Sequence, residues 1–186
     1  MRKLIYTALI ATLTLSFNAV HAQEQKLEKR FEAGIHLLGV GVNYEYPIVD
    51  QLTVLGKVQY NVGFFGNSDY VDYIASLSLG VESRYYYNFN KRVRKGKNTK
   101  NNSANFLSLG FDYMPDALTS TDSKDNIKVE KSSHLSPMWN IRRNIGQSNF
   151  SYEAGIGIDF YRIHYDHRPT EKETGLALRL SIGYTF

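Results

Sequence analysis

TGLALRLSIGYTF, residues 174–186, reads as a strand with two unlike faces. Leu176, Leu178, Leu180, Ile182, Tyr184 and Phe186 fall on one parity, and Ala177, Arg179, Ser181, Gly183 and Thr185 on the other. A strand sends successive side chains to opposite faces, so one face here is wholly apolar and the other small and polar. The stretch predicts the closing strand of a small barrel whose outside is apolar.

Working back from it, the same alternation recurs. In residues 150–165, Tyr152, Ala154, Ile156, Ile158 and Phe160 oppose Ser151, Glu153 and Asp159. Residues 134–145 set Leu135, Trp139 and Ile141 against His134, Ser136, Asn140 and Arg142, with Pro137 predicting an irregular or weakly paired strand. Residues 104–114, 73–89 and 52–65 alternate likewise. In residues 31–48 the phase flips at Leu37-Leu38, beside Gly39 and Gly41, which means a bulge or a very tight hairpin. The count is seven strands, or eight if 31–48 is two. No stretch shows a 3.6-residue period, and polar turns and loops, the longest at 115–132, separate the strands. The fold expected is all-β: an antiparallel up-and-down meander closed into a barrel of eight strands.

The chain of 186 residues is long enough for one such domain. Residues 1–22 have the form of a secretory signal: Arg2 and Lys3, an apolar stretch over 4–17, and Val20-His21-Ala22 before Gln23. Residues 23–30 are polar and charged and read as a flexible lead-in, leaving 31–186 as the barrel. The formal net charge of +4 loses Arg2 and Lys3 with the leader, so it argues little for a nucleic-acid partner. The sequence has no cysteine, which excludes disulfides, thiolate metal sites and cysteine nucleophiles.

The polar faces decide which side looks outward. They carry Lys57, Glu82, Arg84, Asp112, Arg142, Glu153, Asp159 and Arg179 among many Ser, Gly and Asn. Small residues mixed with charges of both signs suit a narrow interior where ions pair. Arg or Lys on a lipid face would cost roughly 2–4 kcal/mol each at the bilayer midplane. Arg143, Arg162 and His164 break the parity but lie near strand ends. Tyr44, Tyr46, Tyr85, Tyr87, Tyr184 and Phe186 crowd the ends of the apolar faces, as an interfacial aromatic girdle would.

With its leader, its meander and a last strand ending Tyr184-Thr185-Phe186, the chain resembles small bacterial outer-membrane β-barrel proteins of the eight-stranded OmpA/OmpX-like kind. The segment RYYYNFNKR, residues 84–92, is similar to such proteins from Bacteroidota. The resemblance implies export to the outer membrane, lipid as surroundings, and a filled interior with no open pore. It implies contact with the barrel-assembly machinery through an insertion signal at Ile182, Tyr184 and Phe186. On it, loops 66–72, 115–132 and 166–173 would lie outside the cell, and turns 49–51, 91–103 and 146–148 in the periplasm. The role expected is structural or one of surface interaction, in a monomer, with no cofactor and no metal.

Two other functions stay open. His134-Leu135-Ser136 looks like the His-x-Ser pair of outer-membrane lipid A deacylases, in which imidazole deprotonates a hydroxyl. Here the Asn expected after the serine is Pro137, and the pair's parity points inward. A secreted, soluble ligand-binding barrel would instead bury the apolar faces. The basic run Lys91, Arg92, Arg94, Lys95, Lys97 and Lys100 lacks interleaved aromatics and reads as a solvated turn. Asp166, His167, His164 and Glu171 lack metal-ligand spacing.

Overall fold

A computed structural model describes residues 25–66, 71–116, 120–121 and 130–186. The export signal read at 1–22 lies outside these residues, as do parts of the loops expected at 66–72 and 115–132. The strands are β1 (Arg30–His36), β2 (Gly39–Val49), β3 (Leu52–Gly66), β4 (Val71–Tyr85), β5 (Asn105–Met114), a two-residue β6 (Ser120–Thr121), β7 (Lys131–Asn144), β8 (Phe150–His164) and β9 (Glu171–Thr185). Apart from β6, which extends the edge of β4 above β5, each pairs antiparallel with its neighbours in chain order. The ring closes where β9 pairs β1, Thr185 opposite Glu32 and Ser181 opposite His36. This is the eight-stranded antiparallel meander barrel that the alternation predicts.

The phase flip at Leu37-Leu38 is a hairpin and not a bulge: β1 and β2 pair from Arg30–Glu45 up to His36–Gly39 around a two-residue turn. Gly39 is there because the chain passes close to β3. A Cβ at this position would stand 2.0 Å from the Tyr60 carbonyl oxygen. Gly39→Ala should therefore destabilise the barrel by about 1–3 kcal/mol through forced backbone displacement, readable as a lowered thermal unfolding midpoint.

Pro137 disturbs less than its chemistry suggests. Between Leu135–Phe160 and Met138–Gly157 the β7–β8 ladder skips two residues, yet its register is unchanged on either side. On the other flank Pro137 sits opposite Leu109 without interruption. The missing N–H costs a ladder bond but not the strand.

One end of the barrel, holding the connections at 50–51, 86–104 and 145–149, is capped. Residues 86–104 contain a short helix α1 (Phe89–Arg94) and a 3-10 turn (Lys100–Asn102), local structure that the strand periodicity gave no sign of. Leu27, Tyr86, Phe89, Ala104 and Phe106 form a buried apolar cluster there, with Val93 against it. The polar lead-in is stitched to this cap. Asn102 donates from Nδ2 to the Glu28 carbonyl (3.0 Å) and accepts from the Glu28 N–H (2.8 Å). Thr99 Oγ1 donates to Gln25 Oε1 (2.6 Å). Asn101 and Asn102 take positive φ, which asparagine tolerates better than most residues. The basic residues of this turn are partly anchored too, as Lys100 Nζ reaches the Gln147 carbonyl at 2.8 Å.

Candidate functional site

Around the barrel, parity sorts the side chains as the sequence predicts, with the outward row apolar and exposed and the inward row polar. Ile35, Val40, Val81, Leu109, Ile156 and Leu178 are among the exposed outward residues. Aromatics gather near the capped end, where Phe31 and Phe186 lie 5.6 Å apart by ring centroids, and Tyr184 lies 5.0 Å from both Phe150 and Phe186. Trp139 Nε1 donates to Tyr87 Oη at 2.9 Å within the same outward surface.

Inside, just above the cap, four arginines and four glutamates interlock. Arg30 donates to Glu45 (2.7 Å) and Glu32 (2.6 Å). Arg84 donates to Glu82 (2.8 Å) and Glu153 (2.7 Å). Arg142 bonds Glu153, Glu32 and the Ser151 hydroxyl. Arg179 grips Glu82 with both terminal nitrogens, at 2.9 and 2.5 Å. Glu45, fully buried, also accepts from Thr53 Oγ1 (2.6 Å) and Tyr86 Oη (2.7 Å). One step away from the cap, Lys57 Nζ meets Asp112 at 2.9 Å.

Buried charges are tolerable only when paired and hydrogen-bonded, and here each has at least one partner of opposite sign. The eight residues named from the sequence as an interior charge set are Lys57, Glu82, Arg84, Asp112, Arg142, Glu153, Asp159 and Arg179. All of them line the interior, and all but Asp159 join this group. Arg30, Glu32 and Glu45 were missed, though each lies on the parity opposite Phe31 and Tyr44. Tyr86 was missed as well, an inward residue flanked by the outward Tyr85 and Tyr87.

Asp159 belongs to a second, separate cluster. Its carboxylate takes Ser136 Oγ at 2.8 Å and faces His134 Nδ1 at 2.8 Å. His134 and Ser136 thus meet through an acid on the neighbouring strand and are not bonded to each other. His134 Nε2 faces Ser132 Oγ at 3.1 Å, and its ring stacks on Tyr161. The inward placement expected from parity holds.

Above the Arg–Glu network the interior widens into a cavity of about 490 Å³, reached by Lys57, Asp112, His134, Ser136, Asp159 and Arg179. A smaller space of about 70 Å³ lies within the network itself. The interior is therefore packed at the capped end and roomy at the other. Among the described residues no group of three or more His, Asp or Glu is placed to hold a metal. At the end opposite the cap Tyr165 Oη donates to Glu171 at 2.9 Å.

Comparison of the chain with protein-family models, with curated proteins and with solved structures finds no match in any of the three.

Proposed function

We propose that the chain is an integral outer-membrane β-barrel whose apolar belt contacts lipid and whose Arg–Glu network locks the wall from within. The observation that carries this reading is the inversion of the barrel: leucine, isoleucine and valine are exposed outside while arginine and glutamate are buried inside. Soluble monomers rarely expose contiguous apolar patches beyond about 300–600 Å², whereas this belt includes outward residues from all eight principal strands. In lipid the arrangement costs nothing on the outside, and a closed barrel satisfies its backbone without water.

The Arg–Glu network packs the interior across its capped end, so the role is structural or one of surface recognition, not diffusion through a pore. The network and the cap favour the same role. The last strand, with Ile182, Tyr184 and Phe186 on its outward row, would serve as the signal to the assembly machinery, and residues 1–22 as the export signal. The lipid A-modifying alternative would need His134 and Ser136 to face lipid, and the soluble barrel would need the belt inside.

Fractionation tests the reading. The protein should be recovered with outer membranes, require detergent for extraction, and migrate faster on gels before heating than after. Recovery in the soluble periplasmic fraction without detergent would overturn it.

A further inference from the structure

The wall of the barrel is not of even height. β9 continues from Leu180 to Glu171 with no ladder partner on the β1 side, because β1 ends opposite Ser181. Across the gap, β3 continues from Val62 to Gly66 past the last β2 pair, Gly39–Asn61. The β1–β2 hairpin plugs only the lower part of this interval. Its tip is stitched to both banks, Leu37 N–H to the Leu180 carbonyl (2.9 Å) and Val62 N–H to the Leu38 carbonyl (2.6 Å). Among the described residues no strand fills the interval above that tip, which is about 14 Å wide at three strand spacings of about 4.8 Å.

The cavity passes through this interval. Its lining includes Leu176, Leu178 and Leu180 of β9, whose side chains turn outward, together with the inward His134 and Ser136 of β7 and Asp159 of β8. The β9 edge at residues 176–180 and the inward residues of other strands border one space because no described strand covers that edge. The tip itself is two exposed leucines, and the outward leucines of β9 continue above it, so the notch opens within the apolar belt.

We infer that the notch is a lateral opening by which a membrane amphiphile enters the barrel, its tail on the leucines and its head in the cavity. This rests on the membrane reading above. The head chemistry follows from the charges already present. Lys57 is held by Asp112, Arg179 by Glu82, and Asp159 by Ser136 and His134, so among the described lining residues no unpaired full charge awaits a counter-ion. Two buried side-chain atoms of the lining, His36 Nε2 and Asp112 Oδ1, have no hydrogen-bond partner among the described residues. A neutral or zwitterionic head rich in hydrogen-bonding groups fits this lining, and a cavity near 490 Å³ is within the usual range of about 300–1,000 Å³ for small-ligand sites. The open β9 edge adds backbone groups: by the alternation of the ladder, Leu178 and Leu176 turn theirs the way Leu180 turns its carbonyl.

The sequence has no cysteine, so single cysteines report cleanly. Ser136→Cys, inside the cavity, and Leu178→Cys, on the outward rim, are labelled with a small fluorophore. The full-length protein is placed in phosphatidylcholine vesicles containing a phosphatidylcholine with a nitroxide midway along one tail. Loss of fluorescence at both positions, of comparable extent, is expected. Should S136C fail to insert, Gln59→Cys on the opposite bank gives the same readout. Adding Ala177→Phe, which fills the cavity beside the notch, should reduce the loss at S136C and leave that at L178C. Quenching at L178C alone would overturn the opening while leaving the membrane reading standing. Quenching at neither would remove both. A stable dimer in vesicles, with S136C unquenched, would assign the β9 edge to a second copy and overturn the amphiphile.

Discussion

Replacing Glu153 by leucine is expected to destabilise the barrel by about 3–5 kcal/mol, the cost of stranding buried charge. Glu153 touches more of the interior network than any single arginine does. It accepts from Arg84 at 2.7 Å, bonds Arg142, and stands 3.8 Å from Arg179 and 3.9 Å from Arg30. Without it the four arginines face three glutamates, and Arg142, whose side chain is 1 % exposed, keeps only Glu32 as a carboxylate partner. Trp139, the only tryptophan in the sequence, gives the fluorescence signal for urea unfolding in phospholipid vesicles. Glu153→Gln keeps the shape and removes the charge, so most of the loss should persist in it. Coupling Glu153→Leu with Arg142→Met restores neutrality and should recover part of it, with an interaction of about 0.5–3 kcal/mol between the two sites. A loss within the range of exposed ion pairs, about 0–1 kcal/mol, would mean that water reaches the network freely.

That network was half legible in the sequence, and the missing half is instructive. Period-2 alternation is a local property, so the two-faced pattern of β9 carries over to β3, β4, β5, β7 and β8 and exposes their inward charges, from Lys57 to Asp159. Arg30 and Glu32 escaped because the lead-in before them is polar on both parities, which hides where alternation begins. Glu45 escaped because the Leu37-Leu38 phase flip left the strand count open. The cap escaped for a different reason. Leu27 joins Phe89 and Ala104 from more than sixty residues away in the chain, and six helical residues are too few to establish a period. The height difference between the β1–β2 hairpin and its neighbours was written in strand lengths, seven residues in β1 against fifteen in β9, but only the register shows which edge is left open. The pairing of His134 and Ser136 with Asp159 is likewise a cross-strand fact, fixed by the β7–β8 register that brings Tyr161 opposite His134.

An arginine at Ile156 separates a lipid-facing belt from a water-facing one by the size of its effect. Ile156 sits midway along β8, 52 % exposed, between Trp139 on β7 and Leu178 on β9. Facing water, Ile156→Arg is a surface change worth no more than about ±0.5 kcal/mol. Facing the middle of a bilayer, it should cost about 2–4 kcal/mol, measured by reversible urea unfolding in phosphatidylcholine vesicles. Depth supplies the control. Thr174 is also outward and exposed, on β9 toward the end opposite the cap and facing Phe160 across the ladder, where headgroups and water would be within reach of a long side chain. Thr174→Arg should cost only about 0–1 kcal/mol, as charges do near the interface. A graded pair, large at 156 and small at 174, is the signature of a hydrocarbon slab around the strands. Equal and small effects would put the belt in water, and the buried arginines and glutamates would then need another explanation than lipid outside.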